Sequence, residues 1–249
     1  MHPALRSSRP LVFAHRGGSK IGPENTIAAF DRGLAAGADG LELDVHLSRD
    51  GAVVVHHDAE LDRTTPATGP LAGRTAAELA ALDIPTLRDV LARYPETGII
   101  IELKQHRAAL ADAVVTEVRR AGAAGRVCLG SFSLSVLRAA RRSAPEIATS
   151  GARLEVRMAL YRSWLHLAPG RVPYRAFQVP EVSGATRVVS PRFVQLAHKA
   201  GLVVQVWTVD EPTDMRRLLD WGVDGIISDR PDIAAEVVRE WISRQSRYR

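Results

Sequence analysis

The sequence predicts an α/β protein, a single barrel of eight parallel strands alternating with helices, and three observations carry that prediction. Eight short β-branched or apolar runs recur along the chain, and the stretches between them space apolar residues three and four apart, as helices do. No composition break, Ser/Gly linker or charge run divides the 249 residues, a length that one such barrel ordinarily spans. One unit over residues 1–249, with an ordered core from about 11 to 243, is the economical expectation.

The strand candidates begin with Leu11–Ala14 and Gly40–Val45. After the turn signal Arg49-Asp50-Gly51, the run Ala52–Val55 reads as a short extra strand, ahead of a loop from His57 to about Pro85. Ile99–Leu103, Val127–Gly130, Ile147–Gly151, Ala176–Val179, Val203–Thr208 and Gly225–Ser228 complete the eight. Between them, Leu134 and Leu137, or Met215, Leu218 and Leu219, mark apolar helix faces. Ser133 precedes one helix, and Pro191, Pro212 and Pro231 sit at or near first-turn positions, where a missing N–H forfeits no intrahelical bond. The segment Arg153–Ala168 departs from the pattern: with Leu154, Met158, Leu160, Trp164, Leu165 and Leu167 it is apolar on much of its circumference if helical. Apolar stripes usually face a core, so an outer helix packed on the sheet or on a partner subunit is expected ahead of a lipid-facing flap.

Composition narrows the class. Hydrophobic residues make up 46% and charged residues 24%, with a mean hydropathy of -0.06, which suits a globular protein with a sizeable core and excludes large-scale disorder. A net charge of +5 invites a polyanion partner, but thirty arginines accompanied only by Lys20, Lys104 and Lys199 are scattered rather than clustered, and nucleic-acid binding is not expected. Cys128 stands alone, so no internal disulfide and no cysteine-ligated zinc site can form, in keeping with a reducing cytoplasm. The first ten residues lack a signal-like apolar core and no stretch nears the roughly 18 apolar residues of a membrane span. The expected location is cytoplasmic, with at most a peripheral membrane contact.

Chemistry-bearing residues gather at the carboxyl ends of the strand candidates, where a barrel places its active site. Strand one ends in Ala14-His15-Arg16-Gly17-Gly18. In Glu42-Leu43-Asp44 the period of two puts both carboxylates on one face. Two inward acids at one strand end repel each other and lose hydration unless a cation joins them. Ile101-Glu102-Leu103-Lys104 turns a third acid, and a lysine, inward at the same level; Glu102 with Lys104 also reads as a plain ion pair. Three carboxylates without a thiol favour a hard, oxygen-binding ion, Mg²⁺ or Ca²⁺. His15 and His57 supply groups that titrate near neutrality, Asp58 stands next to His57 to orient it, and His56 points outward by alternation. Arg16 and Lys104 are placed to hold a phosphate, Gln178 to contact a hydroxyl, and Trp207 either to wall the cleft or to fill the barrel top.

Several of these pieces occur together, in order, in a known family. His15-Arg16-Gly17, Pro23-Glu24-Asn25-Thr26, Glu42-Leu43-Asp44-Val45, His57-Asp58 followed by Leu61-Asp62-Arg63-Thr64-Thr65, Glu102-Leu103-Lys104, Trp207-Thr208 and Asp224-Gly225-Ile226-Ile227-Ser228-Asp229 make the sequence resemble the glycerophosphodiester phosphodiesterases. The resemblance implies a (β/α)₈ TIM barrel with a short insertion after strand two, and a divalent-cation-dependent hydrolysis of glycerophosphodiesters to glycerol 3-phosphate and an alcohol. It also implies Glu42, Asp44 and Glu102 as metal ligands, His15 and His57 as the acid–base pair, Arg16 and Lys104 as phosphate contacts, and Glu24 and Asn25 as a motif at the substrate site's edge. Glu24 reads equally as a first-turn helix acid and Asn25 as a loop or capping residue. No family motif falls in Arg153–Tyr174, the stretch in which headgroup preference and a homodimer contact are left open. A lysophospholipase D on the same barrel, a non-catalytic phosphate-metabolite-binding barrel and a phosphosugar isomerase or aldolase are the competing expectations, since fold alone does not give function.

Overall fold

In the computed structural model, which describes residue 5 and residues 8–247, parallel ladders join the strand runs into one ring. In chain order the elements are β1 (Leu11–His15), α1 (Ile27–Ala35), β2 (Gly40–Leu47), β3 (Val53–Val55), α2 (Ala76–Ala80), α3 (Leu87–Arg93), β4 (Gly98–Leu103), α4 (Ala108–Arg120), β5 (Val127–Gly130), α5 (Leu134–Ser143), β6 (Ala148–Thr149), α6 (Arg153–Trp164), β7 (Ala176–Pro180), β8 (Val182–Ser183), β9 (Thr186–Arg187), α7 (Pro191–Lys199), β10 (Val203–Trp207), α8 (Pro212–Asp220), β11 (Gly225–Ser228) and α9 (Pro231–Arg247). The strand order β6-β5-β4-β2-β1-β11-β10-β7 is all parallel, and β3 lies antiparallel on β2 as the turn after strand two predicts. Between β6 and β7 the ring is closed by a single bridge, Ser150 to Ala176, with Arg175 N donating to Thr149 O and Gly151 N to Ala176 O, each at 2.9 Å.

Alternation sorts the side chains. Leu41, Leu43 and Val45 of β2 and Ile99, Ile101 and Leu103 of β4 face outward into one core with α3, α4 and α5. A second outer core joins Phe177 and Val179 of β7 to Phe193, Met215, Leu218 and Val237 of the last helices. Inward, Phe13, Ile100 and Ile227 form a floor beneath the polar residues of the same strands, and Leu5 joins Cys128, Ala148, Ala176 and Val203 in a further layer. The predicted prolines open α7, α8 and α9. Phe177 is fully buried with ring centroids 5.1 Å from Phe193 and 5.3 Å from Tyr174. Phe177→Ala should therefore lower the unfolding free energy by about 3–5 kcal/mol, transfer and cavity together, read as a shift in the urea midpoint. A change below about 1 kcal/mol would mean the outer layer is loosely packed.

Two regions differ from expectation. The stretch from His57 to Pro85 is more than a loop, because Val54, Leu61, Leu71, Leu79 and Ile84 bury one another in a small core of their own, supported by the capped helix α2. The helix α6 packs as an outer barrel helix over only part of its surface. Its apolar residues are spread over several sides, so only Ala159, Leu160 and Ser163 are buried, the first two within the second outer core, while Leu154, Met158, Tyr161 and Trp164 are exposed. Beneath it β6 has two residues and offers little surface to cover.

Candidate active site

Register and alternation bring the acids together. His15 pairs with Glu42 across β1 and β2, and Asp44 pairs with Glu102 across β2 and β4. Carboxylate oxygens of Glu42, Asp44 and Glu102 all lie within 4.8 Å of one another. Lys104 Nζ stands 2.9 Å from Asp44 Oδ1 and 3.2 Å from Glu102 Oε2, so the ion pair anticipated from spacing forms within the cluster and does not replace it. Asn25 Nδ2 donates to Asp44 Oδ2 at 3.0 Å, and Arg16 Nε approaches the same oxygen at 3.3 Å.

The turn after β1 is shaped for this. Arg16 has φ 53 and Asn25 φ 56, both in the left-handed region, and Asn25 N donates to Arg16 O at 2.8 Å. Arg16 N thereby reaches Glu42 Oε2 at 3.2 Å. At Gly17 (φ 84) a Cβ would sit 2.7 Å from the Ala29 Cβ of α1, so no larger residue lets the helix approach. Thr26 caps that helix by accepting from Ala29 N at 3.1 Å, which leaves Glu24 ahead of the helix rather than in its first turn.

Both histidines are held through Nδ1. His15 donates to Asp229 Oδ1 and His57 to Asp58 Oδ1, each at 2.6 Å, which fixes the tautomer of each ring. His15 Nε2 lies 3.8 Å from Glu42 Oε2. Burial works against charge on His15, but Glu42 and Asp229 outweigh it and hold its pKa above the ordinary value. Arg63 ties the other histidine into the site: it donates to Asp58 and, at 2.6 Å and 3.0 Å, to both oxygens of Glu24, which also accepts from Arg16 at 3.1 Å. Burial raises the Asp58 carboxyl, and Arg63 and His57 together bring it down to about 2.

The acids do not share one protonation behaviour. Burial and the neighbouring Asp44 charge push Glu42 up, and burial with Asp44 does the same to Glu102. Asp44 goes down despite its burial, because Lys104 and Arg16 face it. Glu102 Oε1 is buried without a hydrogen-bond partner. Burial that strains two carboxylates toward protonation, an unpartnered oxygen and an all-oxygen donor set fit a hard divalent cation.

These groups open on one cavity of about 490 Å³, within the usual range for small-molecule sites. His15, Arg16, Glu42, His57, Glu102 and Lys104 line its polar side; Gln178 and Trp207 line it as well, Gln178 Nε2 donating to Gln205 at 2.9 Å and Trp207 packing edge-on against Phe132. Glu24 and Asn25 stay outside the lining and brace Arg16, Arg63 and Asp44 instead. His56 is buried but turned from the cavity toward Glu60 O. Sequence reasoning quoted Asp229 within a motif but gave it no role, although β11 pairs with β1 through Ala14 and Ser228, so ring closure sets the next residues, His15 and Asp229, side by side. It also missed the β8–β9 hairpin at the rim, signalled only by Ser183-Gly184.

The sequence profile of the Glycerophosphoryl diester phosphodiesterase family matches residues 15–233. A glycerophosphodiester phosphodiesterase of Caldanaerobacter subterraneus subsp. tengcongensis is 32% identical, over 93% of this chain and 99% of its own. A probable glycerophosphodiester phosphodiesterase 2 of Mycobacterium tuberculosis is 34% identical, over 94% and 92%. The crystal structure of a glycerophosphodiester phosphodiesterase from Agrobacterium tumefaciens is 30% identical, with a TM-score of 0.75 over 91% of this chain and 99% of that one.

Proposed function

Because this chain belongs to the glycerophosphoryl diester phosphodiesterase family, we propose that it hydrolyses glycerophosphodiesters to glycerol 3-phosphate and an alcohol, with His15 and His57 as the acid–base pair and Glu42, Asp44 and Glu102 as the ligands of one Mg²⁺ or Ca²⁺ ion. The observation that carries this reading is a cavity walled by two imidazoles, two cations and two of the three clustered carboxylates, Glu42 and Glu102. Arg16 and Lys104 face a phosphodiester anion there and draw charge from its non-bridging oxygens as it builds in the transition state. Glu42, Asp44 and Glu102 would hold the cation, which would supply Lewis-acid polarisation of a phosphoryl oxygen. One imidazole takes the proton of the attacking hydroxyl through Nε2, and the other returns a proton to the leaving oxygen. Trp207 and Gln178 complete the substrate wall beside them.

Release of glycerol 3-phosphate from a panel of glycerophosphodiesters, with and without EDTA, tests the reading: release that stops in chelator supports it, and no release from any member overturns it. The apolar side of the cavity, with Phe132, Leu160, Tyr161 and Trp164, favours a second reading, headgroup release from lysophospholipids. Turnover of glycerophosphocholine against lysophosphatidylcholine separates the two.

Asp58→Asn should lower kcat by about 10- to 100-fold while KM changes little, because an amide no longer fixes the His57 tautomer. The pH–rate profile should shift with it. An unchanged profile would reduce Asp58 to a partner of Arg63.

A further inference from the structure

Six of the large apolar side chains exposed among the described residues fall in one short stretch: Leu154, Met158, Tyr161, Trp164, Leu165 and Leu167. Tyr161 and Trp164 line the cavity, as does the exposed Phe132, and an eighth exposed apolar residue, Val182, sits on the hairpin whose Ser183 and Thr186 line it. Scattered exposed apolar residues need no explanation, but a collar of them around the entrance of a single cavity does. Leu165 is 71% exposed and Trp164 53%, an aliphatic beside an amphipathic ring, the pairing that interfacial helices drive into the headgroup region.

Charge selects the kind of surface. Between residues 153 and 175 the chain carries Arg153, Arg157, Arg162, Arg171 and Arg175, all exposed, against one acid, Glu155. Glu155 accepts from both terminal nitrogens of Arg141 at 2.7 Å and 2.9 Å, so its charge is matched within the fold. No helix among the described residues is long and apolar enough to cross a membrane, so any contact here is lateral. We propose that this collar docks the mouth of the cavity onto an anionic lipid surface, the apolar side chains entering the headgroup layer and the arginines meeting lipid phosphates.

The test is co-sedimentation of the intact chain with vesicles of phosphatidylcholine alone or with about one-third phosphatidylglycerol. The wild type is expected to sediment with the anionic vesicles about tenfold more strongly than with the neutral ones, and to be released by salt. Met158→Glu, Leu165→Glu and Leu167→Glu combined should weaken sedimentation at least about tenfold while glycerophosphocholine turnover stays at the wild-type level, since none of the three lines the cavity. Leu165→Glu alone, at the most exposed position, gives the same reading if the triple variant does not fold. A wild type left in the supernatant, equal binding to both vesicle types, or a triple variant that sediments unchanged overturns the proposal. So does a wild-type dimer in light scattering that the triple variant dissociates, because the collar would then be covered by a second copy. Sedimentation does not require turnover, so an inactive chain that binds vesicles separates this proposal from the assigned activity.

Discussion

Replacing His57 with alanine is expected to lower kcat by about 10² to 10⁴ with the fold retained, the usual worth of one placed acid or base. That is roughly 3–5 kcal/mol of barrier. The side chain is partly exposed, and its one strong tie is to Asp58 on the insertion, so its loss opens no core cavity. The same substitution at His15 should slow turnover comparably but also lower stability. His15 stands between Asp229 and Glu42, and without it the part-buried Asp229 and the buried Glu42 lose the imidazole that separates them. Steady-state kinetics paired with thermal unfolding checks both; a folded His57→Ala or His15→Ala enzyme with wild-type kcat would end the assignment.

Glu42→Gln separates stability from activity. The amide oxygen can still accept from Arg16 N, and the variant no longer has either to bury a charge beside Asp44 and Glu102 or to take up a proton there. In chelator the variant should therefore melt a few degrees above the wild type, on the scale of about 2–4 °C per kcal/mol of repulsion relieved. With Mg²⁺ or Ca²⁺ present the order should reverse, because the wild type gains binding energy that the variant cannot match. Turnover should drop by about 10²- to 10³-fold, the value of several kcal/mol of transition-state stabilisation. Calorimetric scans with and without the ion check this. A variant that melts lower in EDTA and is stabilised by the ion as fully as the wild type would remove Glu42 from the cation site.

The polar half of the cavity was legible because period-two alternation is a rigid rule: once β2 is a barrel strand, Glu42 and Asp44 share the inner face, and Glu102 follows one ladder away. The strand runs were legible for the same reason, since β-branched stretches inside a ring have few other conformations to adopt. Asp229 was hidden because its role comes from closure, a contact between the first and last strands that no local pattern displays. Asn25 was placed at the substrate, yet its amide holds Asp44, and that follows only from the left-handed turn that folds the Glu24-Asn25 segment back on β2. For α6, composition without a single apolar stripe said nothing about direction, and the rule that such residues face a core holds for Ala159 and Leu160 but not for Leu154, Met158, Tyr161 and Trp164. The hairpin β8–β9 was too short for any periodicity to register.

The single rung joining β6 to β7 makes the ring unequal around its circumference. Diametrically across from it, β1, β2 and β4 carry His15 and the three acids on long, continuous ladders. Backbone pairing is thus sparse beneath α6 and dense beneath the carboxylate cluster. Ser150 and Gly151, at that joint, line the apolar flank of the cavity, so the flank rests on the least-bonded arc of the ring and the oxygen cluster on the most-bonded one.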